Sequence, residues 1–120
     1  PLFPGYLFVN VAYFSEERLQ VLKAPGFVRI VAFGDEPTSI PLQTIESLRI
    51  LVGGASSDNL QTHPLIQVGR MVRVRIGPFA GAVGKLHRTE DRKSRLVVEV
   101  EFLGRAVAVP IDPEEVEPLF

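Results

Sequence analysis

The sequence predicts an α+β part followed by a small all-β barrel of five strands. Three observations predict it. Up to residue 52, β-prone runs alternate with two helical patterns, whereas from residue 66 onward only short strand patterns remain. Between them, GGASSDNLQTHP is rich in small, polar and turn-forming residues and reads as a flexible linker over residues 53–65. The expected organisation is therefore a first part over 1–52, the linker, and a second part over 66–120.

Residues 6–11 are apolar and aromatic with one polar interruption, bounded before by Pro4-Gly5, the pattern of a strand. Ser15 then offers a helix cap, Glu16 and Glu17 suit the positive end of the dipole, and Leu19 and Leu22 give an apolar face. Pro25-Gly26 stops that helix, and a second strand is expected over 27–33, followed by a turn over 34–38. Pro41 can open a second helix with Leu42, Ile45, Leu48 and Val52 on one side and Gly53-Gly54 at its end.

Beyond the linker, Val72, Val74 and Ile76 alternate with Arg73 and Arg75, so one face can pack while the other carries charge. Gly77-Pro78 turns the chain into a strand over 83–88, and a charged loop follows over 89–94. Leu96, Val98, Val100 and Phe102 share a face, with Glu99 and Glu101 on the other. Leu103-Gly104 turns into a strand over 105–109, and 116–119 adds a last one. Five short strands in so few residues favour closure, which leaves few exposed edges.

Composition narrows the function. The 120 residues carry 13 Lys and Arg against 14 Asp and Glu, a net charge of −1, which argues against a uniformly basic nucleic-acid binder and an acidic tail. With no cysteine, disulfides, thiolate nucleophiles and Cys-ligated zinc are excluded, and a reducing compartment is compatible. No apolar run approaches the ~20 residues of a membrane helix, and no secretory leader pattern is visible. Pro1 is no natural initiator, and the first residues read as the middle of a domain, so the native beginning is expected to lie upstream.

Catalysis finds no inventory. His63 and His87 lack metal-ligand spacing, and no Ser lies in a Gly-x-Ser-x-Gly elbow. GAVGK has Phe79 where a phosphate loop needs its first Gly and Leu86 where it needs Ser or Thr. Glu114, Glu115 and Glu117 sit beside prolines and read as a solvated turn. The sequence calls for no cofactor and no metal.

Two binding constellations remain. PLFPGYLFV places Phe3, Tyr6 and Phe8 within six positions, with Tyr6 and Phe8 on one face of an extended chain; the alternative is a central strand buried on both faces. From Arg70 to Arg95 eight basic residues face two acidic ones, a local +6, while Leu96 to Phe120 sums to −5. Arg73, Arg75, Arg88 and Arg92 could thus meet phosphate, unless cross-strand pairs of Arg73 or Arg75 with Glu99 or Glu101 cancel the separation. Phe79, at the tip of a Gly-Pro-Phe-Ala-Gly turn, is either a lid on the core or a contact residue.

GRMVRVRIGPFAGAVGKLHR, continuing to SRLVVEVEFLGRAVAVPIDPEEVEPL, resembles the KOW domain of the NusG family of transcription elongation factors. LFPGYLFV, PGFVRIVAFG and IPLQTIESLRILV resemble the second half of that family's N-terminal NGN domain. The resemblance implies an incomplete NGN-like part followed by an SH3-like KOW barrel, in a non-enzymatic, cytoplasmic, bacterial factor for transcription elongation, antitermination or termination. It implies that Phe3 and Tyr6, with Phe8 added, bind the clamp helices of the largest RNA polymerase subunit. It implies that Ile76, Gly77, Pro78, Phe79, Ala80 and Gly81 form the partner surface of the KOW part, for termination factor Rho or a small-subunit ribosomal protein. The family's first strand, helix and strand are missing before Phe3, so the N-terminal part is truncated or completed by self-association with another copy. PGFVRIVAFG with PLQTIESLR is similar to specialised paralogues that serve selected operons. An RNA- or ribosome-binding KOW module is the alternative, with nucleic-acid contact otherwise secondary and no membrane partner.

Overall fold

The computed structural model describes residues 2–11, 16–33, 36–37, 39–55, 60–64, 69–89, 92–100 and 103–119. Contacts divide the chain into two compact units, Pro1–Ser39 and Ile40–Phe120.

The first unit opens with a turn. The Tyr6 N–H donates to the Phe3 carbonyl at 3.0 Å, across Pro4 and Gly5. Gly5 has φ +84°, the left-handed value that the third position of a type II turn requires, and proline suits the second. Helix α1 spans Glu16–Leu22 with both glutamates in its first turn, as expected; its cap, Ser15, lies outside the described residues. A second Pro-Gly turn follows, closed by Phe27 N–H donating to the Ala24 carbonyl at 3.1 Å.

The two strands expected here are mostly absent. Residues 6–11 and 27–31 run without ladder pairing; β1 (Ala32–Phe33), the last two residues of the expected second strand, pairs antiparallel with β2 (Glu36–Pro37), which lies inside the segment expected as a turn. A β-prone run becomes a strand only with a hydrogen-bonded neighbour, and these runs have none among the described residues. The apolar face expected on α1 is unburied: Leu19 and Leu22 are exposed, and Phe3 is the only buried hydrophobic described in this unit.

The second unit is a helix on a sheet. Helix α2 spans Leu42–Gly54, starting after Pro41 as expected. It turns a different face inward from the one read in the sequence: Ser47, Leu48 and Leu51 are buried, while Leu42 and Val52 are exposed. The linker is also shorter than expected. Gly53 and Gly54 complete α2, and residues 61–64 form β3 (Gln61–Pro64), paired with the strand over 105–110. That pairing rests on the open edge of its neighbour, not on any β-propensity in Gln-Thr-His-Pro.

The remaining strands fall close to their expected places: β4 (Arg70–Val74), β5 (Val83–Arg88), β6 (Ser94–Val100), β7 (Arg105–Pro110) and β8 (Val116–Pro118). All pair antiparallel in the order β3-β7-β6-β5-β4-β8, so the sheet has six strands instead of five. Strands β7 and β8 stand four steps apart, about 19 Å in a flat sheet at ~4.8 Å per strand. Residues 111–115 join them, and three of these, Pro113–Glu115, form a 3-10 turn that rises only about 2 Å per residue. The sheet therefore curls.

Register fixes the two faces. Val72, Val74, Leu96, Val98, Val100, Val107 and Val109 point into the curl and are buried; Phe102 of the expected stripe lies outside the described residues. Arg73 faces outward, and with it Val83, Lys85, Val97, Glu99, Ala106 and Ala108. Val83, Val97, Ala106 and Ala108 are buried all the same. Helix α2 lies against this outer face at β5 and β6. The Ser47 hydroxyl accepts a hydrogen bond from the Val83 N–H at 2.9 Å.

Candidate functional site

In the first unit, the Phe3-Pro4-Gly5-Tyr6 turn folds the aromatic residues together. Phe3 is 3% exposed and meets the Phe8 ring edge to face, centroids 6.2 Å apart and planes at 85°. Tyr6 is 47% and Phe8 38% exposed, beside exposed Leu7 and Val9. The candidate polymerase-binding residues thus separate into one buried anchor and two solvent-facing rings. Both alternatives read from the sequence assumed a strand over 6–11, and that run has no ladder pairing among the described residues.

In the second unit, the candidate partner surface is a tight loop between β4 and β5. The Gly81 N–H donates to the Val74 carbonyl and the Val74 N–H to the Ala82 carbonyl, each at 2.9 Å. Inside the loop, Ala80 N–H donates to the Gly77 carbonyl and Ala82 N–H to the Phe79 carbonyl. Gly77 and Gly81 have φ of +90° and +92°. A side chain at Gly77 would also meet the Glu115 carboxylate. Ile76 is 55% exposed, and Gly77, Pro78, Ala80 and Gly81 are exposed, whereas Phe79 is 7% exposed. Phe79 is buried, as a lid on the core would be, and it also lines the cleft beside the loop.

The loop is tied to the 3-10 turn. The Arg75 N–H donates to the Glu115 carbonyl at 2.7 Å, and its guanidinium Nη2 donates to the Glu114 carbonyl at 2.8 Å. Beside it opens a cleft of about 630 Å³, with Pro78, Phe79 and Ile111 as its apolar part and Lys93, Arg95, Asp112 and Glu115 as charged lining. Such a cleft suits a peptide carrying both apolar and charged side chains.

The four candidate arginines do not form one patch. Arg73 stands opposite Val83 and Glu117, and Arg75 is engaged by the 3-10 turn, so both lie at the end of β4 next to carboxylates. Arg88 and Arg92 belong to the β5–β6 hairpin end, which Arg70 shares by register, while Lys93 and Arg95 line the cleft beside the loop. Arg70, Lys93 and Arg95 belong to the basic run over 70–95 but were not named as phosphate contacts; the register and the cleft lining place them. The cancelling pair expected between Arg73 or Arg75 and Glu99 forms elsewhere: Glu99 pairs with Lys85. Glu101 lies outside the described residues. His87 is half-buried opposite Arg95, and His63 lies on β3.

The described residues thus present an aromatic turn in one unit and, in the other, a glycine-framed loop beside a mixed cleft and a basic hairpin end. Residues 1–49 match the NusG family, described as "Transcription termination factor nusG". The chain is 31% identical over 120 residues to the "Transcription termination/antitermination protein NusG" of Staphylococcus aureus strains Mu50 and N315, covering 98% of this chain and 64% of those proteins. The chain belongs to the NusG family. It spans just under two thirds of the length of these curated relatives.

Proposed function

We propose that the chain belongs to an RNA-polymerase-associated factor that modulates elongation, antitermination or termination through protein contacts and catalyses no reaction. The likeness to relatives named for termination and antitermination, running over 98% of the chain, carries this reading. In it, residues 1–52 are the NGN-like part, 53–65 the linker and 66–120 the KOW part, a division by sequence likeness. Tyr6 and Phe8, displayed on the turn anchored by Phe3, engage the polymerase clamp helices; Ile76 to Gly81 and the adjoining cleft receive the second partner, Rho or a small-subunit ribosomal protein. Exposed aromatic rings on a fixed turn are the residue type that dominates binding at protein interfaces.

The test is retention on an immobilised clamp-helix peptide. Tyr6→Ala with Phe8→Ala, and separately Phe3→Ala, each weaken binding at least about tenfold, the loss expected for truncating an aromatic anchor. Circular dichroism stays unchanged for the double variant of the exposed rings. Undiminished retention would sink the assignment of these residues.

The basic hairpin end supports a second reading as an RNA-binding module. Arg70, Arg88 and Arg92 would contact phosphates, and affinity for single-stranded RNA would then fall steeply with salt. Protein binding through the loop over 76–81 is insensitive to salt by comparison.

A further inference from the structure

We propose that α2 is a releasable cover: the outer face of the sheet is a helix-binding groove that opens while the sheet stays folded. Three observations lead there. The first is where α2 sits. Ser47, Leu48 and Leu51 bury against β5 and β6, and the Ser47 hydroxyl caps the N–H of Val83, a backbone donor that would otherwise be orphaned. Under the helix the outer face is apolar and small, with buried Val83 and Val97 flanked by the Lys85–Glu99 pair.

The second is how weakly α2 is a helix by itself. Pro41 supplies no side-chain cap, the first turn has no acidic residue, the last turn no basic one, and the helix closes on Gly53 and Gly54. Thirteen residues with these ends are marginal in water, so docking and helix formation are one event. Only two leucines and a serine are buried, and Leu42 and Val52 remain in solvent. Few contacts therefore have to break for release.

The third is the fit at the far end. A Cβ at Gly54 would lie 2.5 Å from the Pro78 carbonyl oxygen and 3.0 Å from Phe79 Cδ1, so only glycine lets the helix end close on that loop. A Cβ at Gly81 would meet Ile50 Cδ1 at 3.4 Å. The helix end thus rests on the loop read above as the partner surface; that consequence depends on the reading above, whereas release does not. Residues 55–60 join α2 to β3, a tether short enough to hold the helix at an effective concentration in the millimolar range. A competing partner is an amphipathic helix of the same chemistry, with a small hydroxyl residue beside the first of two leucines three apart.

The absence of cysteine makes the test direct. Val97→Cys places a thiol on the outer face of β6 and Val98→Cys places one inside the curl, both on buried neighbouring residues of the full chain. Under native conditions Val97→Cys reacts with a thiol reagent at least about tenfold faster than Val98→Cys, because local opening is more populated than global unfolding. Leu51→Glu, or Gly54→Val where no charge is buried, destabilises the docked state against release and against global unfolding alike, so Val97→Cys accelerates and stays the faster of the two. A peptide of residues 40–55 added at millimolar concentration slows Val97→Cys labelling in the Leu51→Glu chain. Equal rates at the two positions, in the parent chain or in a helix-lifting variant, overturn release. A peptide without effect overturns the groove. Neither readout involves polymerase or RNA, so failure here is distinct from failure of the proposed function.

Discussion

Arg92 is the only non-glycine among the described residues with positive φ, at 66°. It sits at the β5–β6 hairpin, where Arg92 N–H donates to the Thr89 carbonyl at 2.9 Å and Thr89 N–H donates to the Lys93 carbonyl at 2.8 Å. A left-handed conformation costs a residue with a Cβ about 1–2 kcal/mol, part of which glycine returns through its freer unfolded chain. Arg92→Gly is therefore expected to raise stability by up to about 1 kcal/mol. A shifted urea midpoint with an unchanged slope checks it. The same substitution removes a cation from the basic hairpin end, so it should also weaken RNA binding if the second reading holds. Phe79 shows what one residue conceals in a sequence. Its position at a loop tip was legible, but its direction depends on α2 and the curled sheet, which no local pattern reports.

At the scale of elements, legibility followed pairing. Strands β4 to β7 were visible because their apolar residues meet neighbours a hairpin away, with Gly77, Gly81 and Gly104 marking the turns. β3 was invisible because Gln-Thr-His-Pro has no strand signature, and the open edge of β7 recruits it. The runs over 6–11 and 27–31 erred the opposite way, with propensity present and ladder partners absent among the described residues. In α2, the stripe of Leu42, Ile45, Leu48 and Val52 was chosen by hydrophobicity alone; the buried stripe includes a serine, because Val83 needs an acceptor. Ser47→Ala leaves that buried N–H unsatisfied and should cost about 1–3 kcal/mol in unfolding free energy. Denaturant unfolding measures it, and a loss near zero would mean that water replaces the hydroxyl. The continuous apolar runs Leu96-Val97-Val98 and Ala106-Val107-Ala108-Val109 held a signal that was passed over, since a strand apolar on both faces is covered on both.

Taken whole, the chain distributes its stability unevenly between the two units. Among the described residues, the first unit buries one hydrophobic side chain, Phe3, whereas every other core residue belongs to the second. Hydrogen exchange should accordingly show amides of α1 and of residues 27–31 exchanging within the earliest times, while those of β6 and β7 persist longest. Uniform protection across both units would contradict this picture. The family likeness covers nearly the entire chain, yet the candidate sites were only partly legible: residue types were readable, whereas which arginines share an end of the sheet required the register. The seam between β4 and β8 has a further consequence, in time instead of space. Its pairs, Val72 with Pro118, Arg73 with Glu117 and Val74 with Val116, join residues more than forty positions apart. The three hairpins can zip quickly, but this seam must wait for a large loop to close, so it sets the rate at which the sheet completes its curl.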